Sequence, residues 1–295
     1  MKVIAVAARK GGVGKTFFGT TLAVHLAKGI GENVKPRRVL YVDGDSQQNS
    51  TYYFLKYLSP QTVYQTAEQW PLPAHPDCER SGTYSISDIF HGQDFLEYPT
   101  TIPNLNIIPS DGGIDTFNGK FKSGEIENTP LNAVIEQFKG LCQLVQDDYD
   151  VMIIDTPPSR TYAAYAAIAV ADQVIVPVNL DLWNVEQGVP AVLGDIQNIQ
   201  SQYRKTEHDF VGLFLNKVSK RFTTRESACY EILSAMPNAA PLIQQEAFTK
   251  RTAFELYSLP DDPNNFEYVK NQETYDMVKN FIAKIDSKLE DVEVA

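Results

Sequence analysis

The sequence is poor in cysteine, in basic residues and in long apolar runs. Its three cysteines, Cys78, Cys142 and Cys229, lie far apart and form no CxxC pair, so the sequence predicts neither a disulfide framework nor a metal cluster. Acidic residues outnumber basic ones by 37 to 26, which gives a formal charge of -11. The whole molecule should therefore repel polyanions except at a local basic patch. The longest nearly uncharged stretch, residues 162–171, is shorter than the roughly 18 residues that a membrane span requires.

The two ends of the chain favour a cytoplasmic protein that does not bind membranes. Only a few apolar residues precede Arg9 and Lys10, which predicts no export signal. The first strand is predicted to begin at Lys2, so we expect no helix-turn-helix module ahead of it. Residues 273–289 have the apolar periodicity of a helix. Acidic and basic side chains mix on its polar face, which favours packing on the core over binding to anionic lipid.

Short apolar runs alternate with helical patterns along most of the chain. A first helix is predicted over residues 16–28. Strands that alternate with helices imply an α/β fold, a doubly wound and mostly parallel sheet with helices on both faces. We expect a single domain over residues 1–295, with a proline-rich surface insertion at about 59–82. The runs predicted as buried strands are residues 3–7, 39–42, 105–108, 151–154, 174–178, 211–215 and 241–243.

The most informative segment is RKGGVGKT, residues 9–16, between the first strand and the first helix. Its glycines allow backbone N–H groups to curl around phosphate oxygens, and the helix N-terminus adds partial positive charge. Lys15 is expected to meet the β- and γ-phosphates of a nucleotide, and Thr16 to ligate Mg²⁺. The predicted nucleotide-binding residues of this segment are Gly11, Gly12, Val13, Gly14, Lys15, Thr16 and the following Phe17.

Arg9 stands where a standard Walker A motif has glycine, and Lys10 follows it. This pattern resembles the deviant Walker A motif of the ParA/MinD family of dimeric P-loop ATPases. Residues 43–47, DGDSQ, are similar to the family's DxDPQ element with Ser46 in place of proline, and residues 155–158, DTPP, resemble its Walker B and switch segment. Residues 103–110 and 248–260 also correspond to family segments. The resemblance spans most of the chain and is nearest to partition ATPases without an N-terminal helix-turn-helix domain.

The resemblance implies an ATPase with ATP and Mg²⁺ as cofactors, in which Lys10 crosses to the nucleotide of the other subunit in a homodimer. Lys10, Lys15 and Asp45 are then the catalytic residues, with Asp45 orienting the attacking water. Aspartates at neighbouring strand ends can share Mg²⁺, so Asp43 and Asp155 join Thr16 as the predicted metal residues.

Asn216 follows the strand predicted over residues 211–215, where the resemblance places an asparagine that pairs with adenine. ATP is favoured over GTP, because no aspartate follows in the spacing of an NKxD motif.

Charge decides what such a dimer binds. A basic run from Arg204 to Arg225 and a second cluster at Lys250 favour non-specific DNA binding. The resemblance then implies a plasmid or chromosome partition switch, associated with the nucleoid in its ATP state and released when a centromere-binding partner stimulates hydrolysis. The alternative is an ATP-dependent positioning scaffold for a protein cargo, without DNA binding. The predicted DNA-binding residues are Lys220, Arg221, Arg225, Lys250 and Arg251.

Overall fold

The computed structural model describes residues 1–58, 71–78, 82–114, 131–204, 206–250 and 271–290. Seven strands in these ranges form one sheet in the order β3-β4-β2-β5-β1-β6-β7. All neighbours are parallel except β3 and β4. The strands are β1 (Lys2–Val6), β2 (Val39–Asp43), β3 (Tyr98–Pro99), β4 (Leu105–Ile108), β5 (Val151–Asp155), β6 (Gln173–Val178) and β7 (Phe210–Leu215).

Helices connect most of these strands, as parallel pairing requires. A π-helical turn, Asn184–Gly188, leads directly into the sixth helix, and short 3₁₀ turns occupy Lys56–Leu58 and Ala240–Leu242. The α-helices of the described residues are α1 (Lys15–Lys28), α2 (Asn49–Leu55), α3 (Ile86–Phe90), α4 (Leu131–Val145), α5 (Tyr162–Val170), α6 (Val189–Tyr203), α7 (Thr224–Ala235) and α8 (Gln272–Glu290).

The sheet has a hydrophobic core on each face, because successive strand residues point to opposite sides. In β1, Val3 and Ala5 pack into the core that includes α3 to α7. Ile4 and Val6 pack into the opposite core with α1, α2 and α8. Both sides of β1 are therefore buried, which explains its continuous apolar run. The predicted doubly wound α/β fold is confirmed.

Six of the seven predicted strands are present, and one is wrong. Residues 241–243 were expected to form a strand, but Ala240–Leu242 is a 3₁₀ turn with Pro241 in its first residues. Ile243 makes only an isolated bridge to Leu213. The proline fixes φ and lacks a ladder N–H group, which favours the turn. The antiparallel edge strand β3 was not predicted, because it is only two residues long and contains Pro99.

The first and last predicted helices are confirmed, with bounds within a residue of the predicted ones. Residues 59–70 and 79–81 of the predicted insertion lie outside the described residues, and residues 71–78 contain no helix or strand. The expected single domain over residues 1–295 stays a prediction. Among the helices described, none combines the length and the apolar character needed to cross a bilayer.

Strand order brings the chemically important strand ends together. The sheet is wound in opposite directions from β1, which lies between β5 and β6. In the register of the sheet, Asp155 lies beside both Val6 and Asp43. Parallel strands place their carboxyl ends at one edge, and the crevice at such a reversal is where open α/β sheets bind ligands.

Candidate nucleotide-binding site

The phosphate loop connects β1 to α1 and leaves the start of α1 open to an anion. Gly12 and Gly14 have φ values of 74° and 106°, in the left-handed region that favours glycine. Gly14 is the N-cap residue of α1 and provides no side-chain cap, so the first N–H groups of the helix can bind phosphate oxygens. A Cβ atom at Gly14 would overlap the amide nitrogen of Asn216. The loop therefore has the backbone shape that its glycines predict.

Thr16 and Asp155 meet where α1 begins beside the end of β5. The Thr16 hydroxyl donates to Asp155 Oδ2 over 2.7 Å. The other oxygen, Asp155 Oδ1, is buried and has no hydrogen-bond partner among the described residues. Burial raises the pKa of Asp155 to about 7; the Lys15 ammonium opposes this rise and the Asp43 carboxylate adds to it. A buried carboxylate oxygen without a donor, next to a hydroxyl, fits a hard divalent cation such as Mg²⁺.

Asp43 and Asp45 lie beside this pair but differ in their surroundings. Asp43 is fully buried, and its Oδ2 accepts from both the backbone N–H and the hydroxyl of Thr51, each over 2.8 Å. Its Oδ1 accepts from the Asp45 N–H over 3.0 Å. Burial raises the pKa of Asp43 to about 6, although the hydrogen bonds from Thr51 lower it. Asp45 is only partly buried. Asp43 thus shapes the turn that presents Asp45 at the mouth of the site.

The protein supplies only part of a metal site. Among the described residues, no group of three or more His, Cys, Asp and Glu side chains is arranged to hold a metal ion. Mg²⁺ usually combines one or two protein ligands with substrate phosphates and water. The donors found at Thr16 and Asp155 fit that mode of binding.

Two side chains directly after β7, those of Asn216 and Lys217, donate hydrogen bonds to the phosphate loop. The Asn216 amide donates to the Val13 carbonyl over 2.7 Å, and the Lys217 ammonium donates to the Gly12 carbonyl over 3.1 Å. Both acceptors are carbonyl groups, so the two side chains fix the orientation of neighbouring peptide units. The sequence predicted that the Asn216 amide pairs with adenine. In the structure its amide nitrogen donates a hydrogen bond to the backbone of the phosphate loop.

Phe17 and Phe248 connect the phosphate loop to residues 248–260, a later segment that resembles the family. Phe17 is half buried, and its ring packs edge-on against Phe248 with centroids 5.3 Å apart. The backbone of Phe248 pairs with β7 through Leu215. Residues 251–260 of that segment lie outside the described residues, so the predicted base-binding segment is described only at its beginning.

Lys10 does not extend freely from the loop. Its ammonium lies 2.7 Å from the Asp181 carboxylate and 5.7 Å from the centroid of the Trp183 ring. Asp181 and Trp183 follow β6 at the start of the segment that leads into α6. Sequence reasoning did not find either residue, because no local pattern marks a partner 171 residues away. A third missed residue, Asp195 of α6, pairs with Arg9.

Four of the five predicted DNA-binding residues lie within the described residues, all of them after β7 in the chain. Lys220, Arg221, Arg225 and Lys250 are exposed. The Lys250 N–H donates to the Val218 carbonyl over 2.8 Å, which brings the two basic segments together. Lys220 is partly neutralised by Glu273 of α8 at 3.0 Å. Arg251 lies outside the described residues.

Arg204 does not add to this surface. Its guanidinium donates to the carbonyl groups of Ala169 and Ala171 over 2.8 and 2.5 Å, and burial lowers its pKa. The side chain therefore caps α5 instead of facing solvent as part of the basic run.

Comparison with known proteins identifies relatives over most of the chain. A family model described as an AAA domain matches residues 1–208. Protein SopA of Escherichia coli (strain K12) is 31% identical over 189 residues, which cover 62% of this chain and 42% of SopA. Maintenance of carboxysome distribution protein A of Gloeothece citriformis is 27% identical over 203 residues, covering 68% of this chain and 64% of that protein. The chain thus aligns with less than two thirds of either relative.

A solved structure extends the similarity of fold to nearly the whole chain. The structure is that of a putative plasmid partition protein from Borrelia burgdorferi bound to AMPPNP. It superposes with a TM-score of 0.65 at 21% identity, and covers 96% of this chain and 99% of that one. At this identity the likeness supports a common fold, a P-loop domain.

Proposed function

The chain belongs to the AAA domain family, as a P-loop ATPase of the ParA/MinD type, and from this we propose that it is a dimerising ATPase switch of the partition type. In its ATP state the dimer binds DNA non-specifically, and partner-stimulated hydrolysis releases it. A centromere-binding protein is the proposed partner, and the nucleoid is the proposed location of the ATP state. The family membership confirms the resemblance seen in the sequence.

The observation that carries the proposal is the arrangement of Thr16 and Asp155 at the phosphate loop. An uncapped helix start, a buried lysine and a carboxylate oxygen without a donor meet at one sheet edge. Polyphosphate and Mg²⁺ together satisfy all three, because phosphate oxygens accept from the N–H groups and share the cation with the protein. ATP and Mg²⁺ are therefore the proposed substrate and cofactor.

The chain's own residues have distinct tasks in this proposal. Lys15 binds the β- and γ-phosphate oxygens, and Thr16 and Asp155 hold Mg²⁺, which when bound offsets negative charge that develops on the phosphates. Asp45 orients the attacking water from the mouth of the site. Asp43, predicted near the metal, acts by holding the turn of Asp45, since its two oxygens already accept hydrogen bonds.

Lys10 is the proposed residue that acts across the dimer. A cation placed on the other subunit's phosphates would couple hydrolysis to dimerisation. Within one chain, Lys10 pairs with Asp181, so it has to leave this partner before it reaches the second nucleotide. A switch needs slow hydrolysis without a partner protein, because the ATP state has to persist.

The test uses Asp45→Ala, which should bind ATP and fail to hydrolyse it. Its mass is measured by light scattering after gel filtration with ATP and Mg²⁺ or with ADP, with and without unrelated duplex DNA, at two salt concentrations. We expect an ATP-only dimer that binds DNA and loses it steeply as salt rises. A variant that hydrolyses ATP like the parent would overturn the role of Asp45, and a monomer in ATP would overturn the dimer switch.

One alternative has a specific observation behind it. A relative is named for maintaining carboxysome distribution, so positioning a protein cargo is a second candidate function. The acidic charge of -11 also favours a protein partner over DNA. An ATP-only dimer that ignores DNA at both salt concentrations would support this candidate.

A further inference from the structure

Arg9 is joined to the middle of α6 by a buried ion pair. It directly precedes Lys10, and its side chain is only 11% exposed. Its guanidinium contacts the carboxylate of Asp195, which is 4% exposed. On the same helix Val192, Ile196 and Ile199 are buried and apolar. Asp195 is therefore a single charged residue on the apolar face of α6, and Arg9 at the start of the phosphate loop neutralises it.

The second oxygen of Asp195 faces α5 and the segment before it. Asp195 Oδ1 accepts from the Tyr165 hydroxyl over 3.4 Å and lies 3.5 Å from the guanidinium of Arg160. Tyr165 also accepts from Arg9 over 3.3 Å, and the Arg9 guanidinium lies 5.5 Å from its ring centroid. Arg160 lies in the loop before α5, two residues after the predicted switch segment at residues 155–158. One carboxylate thus contacts both segments that flank the proposed phosphate site.

The two arginines are held unequally. Arg9 is enclosed, whereas the Arg160 side chain is 68% exposed and its guanidinium lies 3.5 Å from the Asp195 carboxylate. Asp195 can therefore keep Arg9 in place while its contact with Arg160 breaks and forms again. Arg160 is thus the partner that can move when the switch segment moves.

Stability alone does not account for this pair. Replacing a buried ion pair by apolar side chains of similar volume is often neutral or stabilising, because desolvating both charges costs as much as their attraction gains. An apolar pair makes no directional contact, so it cannot fix the side chain at position 9 and, through it, the start of the phosphate loop.

We propose that Asp195 is a positioning residue, which sets the phosphate loop through Arg9 and links the loop to the switch segment through Tyr165 and Arg160. This inference rests on the proposed ATPase function. Asp195 contacts no reacting atom; it acts by fixing the backbone from which Lys10 and Lys15 extend.

The test compares the parent protein with variants in which the charges of Arg9 and Asp195 are removed. Asp195→Asn alone leaves the Arg9 charge buried without an anionic partner, so it should lower the melting temperature, and the double variant Arg9→Gln/Asp195→Asn should restore most of it. We expect the double variant to bind a fluorescent ATP analogue within about twofold of the parent but to hydrolyse ATP about tenfold more slowly. The matched control is Arg37→Gln/Asp286→Asn, which removes the ion pair between the segment before β2 and α8, and should leave kcat unchanged.

Proteolysis reports on the link to the switch segment. Trypsin cleaves after Arg160, which is exposed, and we expect ATP with Mg²⁺ to change the cleavage rate in the parent but not in the neutral double variant. A double variant with the parent's kcat overturns the positioning role, and an ATP effect on cleavage that persists in it, or is absent from the parent, overturns the link. A parent that neither binds nor hydrolyses ATP overturns the proposed function itself, and this inference with it.

Discussion

Lys10 and Asp181 form an ion pair of 2.7 Å within one chain, with the Trp183 ring beside the ammonium. The lysine side chain is 30% exposed and the aspartate 35%, so water screens the pair and its contribution is small, about 0.2–1 kcal/mol. A pair this weak can hold Lys10 in the monomer and still yield when a second nucleotide approaches. If the chain is the proposed dimerising switch, the pair therefore biases it toward the monomer without locking it.

Asp181→Asn should accordingly favour the dimer. Removing the partner releases each lysine, and a contribution of up to 1 kcal/mol corresponds to a tightening of at most about fivefold for each lysine. The dimer dissociation constant is measured by sedimentation velocity in the Asp45→Ala background with ATP and Mg²⁺. Asp209→Asn is the matched control, because it removes a similarly exposed pair with Lys2 at 2.8 Å. An unchanged or weakened dimer would show that Asp181 does not restrain Lys10.

Asn216→Ala should loosen the phosphate loop. It removes the hydrogen bond to the Val13 carbonyl, and leaving a buried acceptor unpaired costs about 1–3 kcal/mol. We expect weaker binding of ATP and also of inorganic triphosphate, which has no base. If triphosphate binds as it does to the parent while ATP binds more weakly, Asn216 acts on adenine alone. Asn106→Ala is the control, since its amide bonds the Tyr149 hydroxyl away from the loop.

Local patterns predicted the elements that make up the fold and the phosphate loop. A strand buried on both sides is a continuous apolar run, and a loop that binds phosphate needs glycines between a strand and a helix, so both are visible within about ten residues. The short run at residues 241–243 failed because it is equally compatible with a turn. Its proline settles the outcome.

The contacts that hold the site were beyond sequence reasoning for a different reason. Asn216 reaches Val13 across 203 residues, and Asp195 reaches Arg9 across 186. These contacts exist because β6 and β7 lie on one side of β1 in the sheet. Strand order depends on the packing of the whole chain, and a single sequence shows the charged residues without their partners.

The pKa of Asp155 predicts how the ligand-free protein responds to pH. Burial raises this pKa from 3.8 to about 7, so between these values the folded state binds a proton that the unfolded state does not. Stability contributed by this group is fully present below the unfolded pKa of 3.8, is lost progressively as the pH rises from there, and is gone above the folded pKa of about 7. Asp43, raised to about 6, acts in the same direction. Asp155→Asn should therefore flatten the fall in melting temperature between pH 5 and pH 8.

Mg²⁺ and nucleotide should oppose this fall in stability with rising pH. The cation binds the ionised carboxylate and competes with the proton, so the rise in melting temperature caused by ADP and Mg²⁺ should be larger at pH 8 than at pH 6. Differential scanning fluorimetry of the parent and of Asp155→Asn measures both effects. A parent whose stabilisation by ADP and Mg²⁺ is the same at the two pH values would contradict the proposed metal role of Asp155.

The exposed arginines after β7 predict how the affinity for DNA depends on salt concentration. Arg225 and Arg221 are exposed, and each contact with a phosphate releases counterions. In the Asp45→Ala background with ATP, Arg225→Ala should weaken binding to unrelated DNA sequences equally and reduce the slope of log affinity against log salt by about 1 per subunit. Lys139→Ala is the control, because Lys139 lies on α4, where it pairs with Glu136. If both variants bind DNA as the parent does, this surface does not carry the DNA contacts. A parent dimer that binds no DNA would leave a protein cargo as the favoured partner, and the basic surface would then be the first place to map its contacts.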